Sequence, residues 1–400
     1  GGAPFVGSEG FSLSPSELGL YFGAPAIGYF LGNFASGRYS ARVGVNRMVC
    51  WGALINSTGI AVSMLVFATG YGTVLTFFGF MTLVGLGNGM TIPNATAGML
   101  SVRPHLAGTA SGLGGAIMIG GGAGHEPLFL GYVGAGLADA VAVGNIFAAP
   151  PPDRILACCR AASSGAGVLH VFGNYSGDVM NFEMAGELAV AEGIEVRTVV
   201  TTDDIAYSPA SDRDGRRGTA GNVFIFKIAG AACDRMLPLE DCERLTQKAN
   251  AATFTMSVGL TAGSLPETRR PSFELGPDEI EIGVGIHGEP GVQRALMMSA
   301  DDIADRIMDG LLADAGLGPG SRIGLLVNAL GGTPMMELGI LNRRVHQRLA
   351  ARGVEIVRTW LGPYCTSLDM HGASVSVIVL DEQLEDLLLA PCDGFAFRVG

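Results

Sequence analysis

Two long runs without a charged residue constrain the fold of this chain more than any other feature. The run from Leu18 to Ser36 has nineteen uncharged residues, and the run from Met48 to Val102 has fifty-five. A helix needs about 20 apolar residues to cross the hydrocarbon core of a membrane. The first part of the chain therefore predicts three transmembrane helices, over residues 17–37, 48–69 and 73–97.

The charged residues divide the chain at about residue 120. Residues 1–120 hold four basic and two acidic residues, which leaves 21 of 25 basic and 35 of 37 acidic residues for 121–400. The net charge is therefore about +2 for the first part and about −14 for the second. A strongly acidic surface favours solubility and argues against nucleic acid as a partner. We expect a membrane segment over 1–120 and a soluble domain over 121–400.

The basic residues of the first part indicate its orientation. Arg38, Arg42 and Arg47 lie between the first two predicted helices without an acidic residue, which places that loop on the cytoplasmic side. The glycine-rich residues 106–122 have low helix propensity, so we do not expect them to cross the membrane.

Three segments of this part resemble major facilitator drug transporters: GNFASGRYSARVGVNR (32–47), GLGNGMTIP (85–93) and RPHLAGTASGLG (103–114). The resemblance covers only part of such a carrier. Because these carriers bind their substrate between two helical halves, we expect no transport activity.

The soluble part alternates strand and helix patterns. Short apolar runs predict buried strands at residues 167–172, 194–200, 322–327, 354–360 and 374–380. Helix patterns predict helices at residues 178–192, 222–233 and 334–351. This alternation predicts an α/β fold with largely parallel strands, divided between two sheets.

The seven cysteines include no C-x-x-C pair, and no His-rich spacing suggests a metal site. Cys158 and Cys159 are adjacent, which is too close for an ordinary disulfide. We expect reduced thiols and no bound metal. The start of the sequence shows neither a basic region nor a cleavage site of a secretory signal.

Two glycine-rich loops each contain a candidate catalytic histidine. GGGAGHEP (120–127) contains His125, and its glycines allow close approach of the backbone to a ligand. It lacks the Gly-Lys-Ser/Thr of a Walker A phosphate loop. GVGIHGEPG (283–291) contains His287 between glycines, which we expect to leave space around the imidazole for a small molecule.

A third loop, NYSGDVMNF (174–182), places Asp178 after a strand and at the start of a helix. Two interpretations are open. Asp178 is either an N-cap residue or a carboxylate that the helix N-terminus keeps ionised as a base, and the two roles are compatible.

Seven motifs occur along the second part in the order GGGAGHEP, GYVGAGLADA, NYSGDVMNFEMA, GRRGTAG, GIHGEPG, LLVNALGGTPMMEL and YCTSLDMHG. Their identity and order resemble the K subunit of dihydroxyacetone kinase over about residues 121–400. The resemblance implies an α/β fold of that type, with two subdomains built on mixed or parallel sheets and preceded here by about three transmembrane helices.

The resemblance also implies roles for individual residues. His287 would form a covalent hemiaminal with the ketone carbon of the substrate, and His125 would hydrogen-bond the substrate and assist proton transfer. Asp178 would be the general base on the hydroxyl that attacks phosphorus. The substrate site would be lined by His125 and Asp178 and by the backbone amides of Gly122, Ala123 and Gly124.

The implied substrate is dihydroxyacetone or an erythrulose-like ketose. A separate nucleotide-binding L subunit would supply the phosphoryl group, from ATP-Mg or from a phosphotransferase relay, so the chain itself would bind no cofactor. The resemblance further implies a homodimer. We expect residues 121–400 in the cytoplasm, and the whole chain at a membrane if its N-terminal segment is retained.

Two departures from the family pattern leave alternatives open. Gly173 stands where many members carry a lysine that helps bind the ketose, and relatives that act on four-carbon ketoses also carry glycine there. The N-terminal family segment that precedes GGGAGHEP, including its strand, is expected to be absent. The alternatives to a kinase subunit are a ketose-sensing regulatory module and a non-functional fusion of transporter and kinase genes.

Overall fold

The computed structural model describes residues 11, 13–101, 115–268 and 270–400. The chain divides into two units, Gly1–Pro104 and His105–Gly400. The transporter-like segment 103–114 lies outside the described residues, as does His105.

The first unit consists of three helices, α1 (Pro15–Val43), α2 (Val45–Ala68) and α3 (Val74–Ser101). Helix α1 begins with a capping box, in which the Ser14 hydroxyl accepts from the Glu17 amide and the Glu17 carboxylate accepts from the Ser14 amide.

Small and amide side chains connect the helices of this unit. Gly32 of α1 and Gly89 of α3 allow close backbone contact, and Asn94 donates to the Ser36 hydroxyl over 2.9 Å. Many large apolar side chains point outward, among them Leu20, Phe30, Phe34, Leu54, Met64, Leu65 and Leu75.

Among the described residues, two helices are long and apolar enough to cross a membrane by length and composition, Arg47–Ala68 and Val74–Asn94. These correspond to the second and third predicted crossings. Helix α1 covers the first predicted crossing, residues 17–37, and lies outside this set. Glycine, serine, asparagine and proline lower the hydropathy of α1.

The first sheet of the second unit has four parallel strands in the order β3–β1–β4–β5. Their bounds are β1 (Ala116–Ala123), β3 (Ala140–Ile146), β4 (Val168–Gly173) and β5 (Val196–Thr201). Four helices accompany this sheet: α4 (Pro152–Ala162), α5 (Ser176–Ala191), α6 (Asn222–Asp234) and α7 (Leu239–Ala252). Helices α4 and α5 share one apolar core with the sheet, and α6 and α7 share another.

Strand β1 corrects one expectation from the sequence. The strand before GGGAGHEP is present, and it pairs on both sides, with β3 and with β4. Its residues 116–119 are fully buried, and the glycines at 120–122 continue the strand. It begins ahead of the predicted domain boundary at residue 121. An AIMI run directly before three glycines supplies the apolar strand that the sequence was expected to lack.

The second sheet has six strands in the order β10–β9–β11–β6–β7–β8. The strands are β6 (Thr253–Gly259), β7 (Glu279–Ile282), β8 (Gln293–Leu296), β9 (Arg322–Ala329), β10 (Glu355–Gly362) and β11 (Gly372–Val379). The helices are α8 (Ala300–Asp314), α9 (Met335–Ala351) and α10 (Glu382–Leu389). A small third sheet has the order β13–β12–β2, with β2 (Gly134–Ala135), β12 (Cys392–Gly394) and β13 (Arg398–Val399). Two short 3-10 helices cover Leu130–Tyr132 and Ala210–Gly215.

The sheets agree only in part with the predicted parallel arrangement. The first sheet is parallel throughout, but in the second only β9 and β10 pair in parallel. Among the described residues, no helix lies between β10 and β11 or between β6 and β7, so neither connection is a helical crossover. The predicted strands and helices themselves are confirmed, each end within two residues of its expected position.

Candidate active site

The three predicted catalytic side chains lie close together, two of them after neighbouring strands of the first sheet and the third on a loop of the second. His125 follows β1, Asp178 follows β4 in the first turn of α5, and His287 lies on the loop after β7. The ring centroids of His125 and His287 are 4.8 Å apart. Because β1 and β4 are adjacent and parallel, their carboxyl ends meet at one edge of the sheet, where α/β proteins bind ligands.

His125 is buried, and the structure fixes its tautomer. Its Nδ1 atom lies 2.8 Å from the backbone carbonyl oxygen of Thr366. A carbonyl only accepts, so Nδ1 carries the proton and Nε2 presents a lone pair. Nε2 is buried without a hydrogen-bond partner. Burial and the nearby His287 lower the pKa of His125 to about 3, so the ring is neutral at neutral pH.

The loop that contains Thr366 is fastened to the GGGAGHEP loop at several points. The Thr366 amide donates to the His125 carbonyl over 3.2 Å, and the Thr366 hydroxyl donates to the Glu126 carbonyl over 2.8 Å. The Leu368 amide donates to the Gly124 carbonyl over 2.8 Å. The YCTSLDMHG motif therefore positions His125.

Asn328, at the end of β9, holds the Thr366 loop in turn. Its amide nitrogen donates to the Cys365 carbonyl over 2.7 Å and to the Ser374 hydroxyl over 3.0 Å. Its amide oxygen accepts from the backbone amides of Tyr364 and Cys365, each over 2.8 Å. The side chain is fully buried and uses both ends of its amide, which explains the asparagine of LLVNALGG.

The backbone from Gly122 to Gly124, whose amides are expected to line the substrate site, also makes contacts within the protein. The Gly124 amide donates to the Glu126 carboxylate, with 3.0 Å to Oε2, and the Ala123 carbonyl accepts from Phe147 over 2.9 Å. A Cβ on Gly122 would lie 2.8 Å from the Ala148 nitrogen. Because Gly122 has no side chain, the protein's own backbone at residues 147–148 can approach it closely.

Asp178 occupies the first turn of α5, and its carboxyl group is buried. Burial raises its pKa to about 7, although the neighbouring His287 and a backbone hydrogen bond oppose this rise. Desolvation therefore acts against the helix N-terminus, which we expected to keep Asp178 ionised. The N-cap residue is Tyr175, and Oδ1 of Asp178 is buried without a hydrogen-bond partner.

His287 stands among aromatic rings. Tyr175 and Phe147 lie edge-on to it, with centroid distances of 4.7 and 5.0 Å. Its Nδ1 atom lies 2.7 Å from Oε1 of Glu289. Gly288 has a φ of +87° and a Cβ there would meet Ser272, so it serves the turn and does not clear space beside the imidazole. The sequence reasoning missed Glu289, whose signal was a carboxylate two residues after the histidine.

The two arginines of GRRGTAG turn to different partners. Arg216 is fully buried and donates to both carboxylate oxygens of Asp314, over 2.9 and 2.6 Å. Arg217 donates from Nε and Nη2 to Oδ2 of Asp204, over 2.9 and 2.6 Å. One motif thus connects helix α8 with the site that contains His287.

An open cleft of about 660 Å³ lies beside these residues, lined by Asn174, Tyr175, Ser176, Tyr207, Arg217 and Glu289. In the part of the chain that the structure describes, no group of three or more His, Cys, Asp or Glu side chains could hold a metal ion. The seven cysteines are free thiols, and His170 lies in the core against Cys159.

The family model of the Dak1 domain matches residues 113–396. The chain belongs to the Dak1 domain family. It is 46% identical, over 71% of its length and 85% of the relative, to the dihydroxyacetone-binding subunit DhaK of PTS-dependent dihydroxyacetone kinase 2 of Listeria innocua. It is 42% identical to the D-erythrulose kinase of Mycolicibacterium smegmatis, over 71% of this chain and 49% of that protein.

Among solved structures, the dihydroxyacetone kinase operon co-activator Dha-DhaQ is similar, with a TM-score of 0.69 and 32% identity over 72% of this chain and 89% of that one. The α/β Dak1 fold is here preceded by an N-terminal helical region.

Proposed function

We propose that the Dak1 domain of this chain is the ketose-binding subunit of a dihydroxyacetone kinase, and that it binds its substrate covalently on His287. The observation that carries this proposal is the hydrogen bond between Nδ1 of His287 and Glu289, which leaves Nε2 with a lone pair. Neutral imidazole nitrogen is a nucleophile for carbonyl carbon, and such a site selects ketones over polyols.

The other two candidate residues support capture and transfer. Nε2 of His125 accepts a hydrogen bond from a substrate hydroxyl, because its proton is on Nδ1. When Nε2 of His287 bonds to the ketone carbon, the C=O π pair moves to the oxygen, which takes a proton from the share of Asp178 that is protonated near pH 7. The Asp178 carboxylate then accepts the proton of the terminal hydroxyl that attacks phosphorus.

A separate L-type subunit supplies the phosphoryl group. Phosphoryl transfer depends mainly on positioning and charge around a bound donor, which that subunit holds. The donor is ATP-Mg on that subunit or a phosphotransferase relay. The PTS-dependent enzyme of Listeria innocua supports the relay. Tethering the ketose on His287 fixes its terminal hydroxyl for in-line attack.

The substrate is a three- or four-carbon ketose. Gly173 ends β4 next to the site, and a Cβ there would lie 3.3 Å from the Tyr175 ring. The likeness to the D-erythrulose kinase supports a four-carbon substrate, and the likeness to the Listeria innocua subunit supports dihydroxyacetone. Turnover of both ketoses at equal concentration, with an L-type subunit present, distinguishes them.

The N-terminal unit is a partial transporter segment that places the chain at a membrane. Its two apolar helices and its outward-pointing apolar side chains support this part of the proposal. The Dak1 domain then lies on the cytoplasmic side and forms a homodimer, which size-exclusion chromatography in detergent tests. If the chain is a non-functional fusion, neither unit is expected to fold correctly.

A second candidate function is ketose sensing. The likeness to the co-activator Dha-DhaQ supports it. A sensor needs capture by His287 but not proton removal by Asp178.

The deciding experiment combines the full chain with dihydroxyacetone, an L-type subunit and its phosphoryl donor. Formation of ketose phosphate supports the kinase. A covalent adduct without phosphate formation supports the sensor. Absence of both adduct and phosphate with either ketose overturns the proposal.

A further inference from the structure

We infer that Glu289 is a positioning residue, which holds the His287 imidazole in the tautomer that can capture a ketose. This inference rests on the proposed role of His287. The Glu289 carboxylate contacts His287 at two points: Oε1 lies 2.7 Å from Nδ1, and Oε2 accepts from the His287 backbone amide over 2.5 Å. The contact therefore fixes both the ring and the backbone of the same residue.

The carboxylate selects the tautomer through its charge. Burial raises the pKa of Glu289, but the hydrogen bonds from the His287 side chain and backbone amide help to lower it to about 2. At neutral pH the carboxylate is ionised and only accepts hydrogen bonds. In the neutral form of the His287 ring, Nδ1 must then carry the proton, which leaves Nε2 unprotonated.

Glu289 also lies next to a buried arginine. Oε2 of Glu289 lies 3.9 Å from Nη1 of Arg217, and the two side chains are 33% and 5% exposed. Arg217 is bound by Asp204 and also donates to the Gly283 carbonyl over 3.1 Å. The ring of Tyr207 covers the guanidinium group at 4.6 Å. Asp204, Arg217, Glu289 and His287 thus form one chain of contacts.

The glycine at position 285 shows that the backbone accommodates this arrangement. A Cβ on Gly285 would collide with Oε2 of Glu289 and would lie 2.5 Å from Nη1 of Arg217. Gly285, two residues before His287, therefore leaves room for the carboxylate and the guanidinium group to approach each other. The GRRGTAG and GVGIHGEPG motifs therefore contribute to the same set of contacts around Glu289.

The same carboxylate stabilises the charge that develops during capture. As Nε2 forms its bond to the ketone carbon, the imidazole ring gains positive charge, and the carboxylate on Nδ1 offsets it. Partners that orient metal-binding histidines in the same way change activity by about 10- to 100-fold when they are removed, and we expect an effect of similar size here.

The test is Glu289→Gln in the full chain, with Glu187→Gln as the matched control. Glu187 is exposed on α5 and does not line the cleft. We expect dihydroxyacetone capture by Glu289→Gln to slow by about 10²-fold, and the control to match the wild type. Nitrogen-15 NMR of histidine-labelled chain, without ketose, should show His287 Nε2 unprotonated in the wild type and at least partly protonated in Glu289→Gln.

A second variant guards against a folding defect. Gly285→Ala keeps every charge but displaces the carboxylate, so the same shift of the proton to Nε2 is expected. Wild-type capture rates or an unprotonated Nε2 in both variants would overturn the inference. Because the NMR readout needs no ketose, a wild type that captures nothing would refute the proposed function while the tautomer result still decides the role of Glu289.

Discussion

The Nδ1 atom of His125 lies 2.8 Å from the carbonyl oxygen of Thr366, which is 241 residues further along the chain. This contact joins the loop after β1 of the first sheet to the loop between β10 and β11 of the second. It also determines which nitrogen of His125 faces the site. The chemistry of a residue that follows β1 therefore depends on the side chain of Asn328, which holds the Thr366 loop.

Asn328→Ala should destabilise the Dak1 domain by about 3 kcal/mol, because it leaves several buried backbone groups without partners. Urea denaturation measures this change. Asn181→Ala is the control, since the Asn181 amide makes one hydrogen bond, to the Pro150 carbonyl over 2.9 Å. Equal losses for the two variants would show that the Thr366 loop does not depend on Asn328.

His287→Ala should abolish the covalent adduct with dihydroxyacetone, because it removes the only nucleophile proposed for the ketone carbon. Native mass spectrometry of the full chain measures the adduct. His346→Ala is the control, since His346 lies on α9 and contacts Thr359 instead of the site. An adduct that persists in His287→Ala would exclude His287 as the point of attachment.

Asp178→Asn should retain an adduct while turnover with an L-type subunit falls by about 10²-fold or more, the scale of lost general-base catalysis. Its proton-donating role predicts slower formation of the adduct, but not its absence at equilibrium. Paired measurement of adduct at equilibrium and of phosphate formation separates the two steps. Equal loss of both would mean that Asp178 holds the structure of the site.

The pKa of Asp178 predicts a pH-dependent effect on stability. The folded state raises this pKa from 3.8 to about 7, so it binds the proton more tightly than the unfolded chain does. Stability is therefore lost as the pH rises from about 4 to about 7. Asp178→Asn removes this loss and should be more stable than the wild type by up to about 4 kcal/mol above pH 7, with no gain below pH 4.

Denaturation curves at pH 4, 6 and 8 measure this difference. Asp153→Asn is the control, because Asp153 is exposed in the first turn of α4. A stability difference that does not change with pH would contradict the burial of an ionisable Asp178.

The N-terminal unit should direct the chain to membranes. The full chain is expected in the membrane fraction, resistant to high salt and extracted by detergent, because outward apolar side chains on α2 and α3 would otherwise face water. Residues 105–400, cut at the boundary between the two units, are the comparison. Recovery of the full chain in the soluble fraction would refute membrane attachment.

The sequence was sufficient to predict three candidate residues that lie together in the structure, but not their protonation states. His125, Asp178 and His287 each stand in a recognisable motif, and the structure brings them together. The protonation of Asp178 depends on burial by residues from other elements, and helix position alone suggested the opposite. Glu289 was visible in GIHGEPG, but sequence spacing does not show that its carboxylate folds back onto His287.

Strand patterns predicted the elements of the fold better than their directions. The period of apolar residues locates strands such as β9 and β11, yet it contains no information on whether they run together or opposed. That depends on the connection, and the loop from β10 to β11 has no helix to carry the chain back. Strand β1 was expected to be absent because its segment is rich in glycine, which makes a strand pattern weak.

Arg216 and Arg217 are neighbours in sequence, but their carboxylate partners belong to different parts of the domain. Successive side chains of an extended segment point to opposite sides. A deletion or insertion of one residue just before this pair would exchange the two sides and turn each guanidinium group away from its carboxylate. The length of this segment is therefore under constraint during divergence.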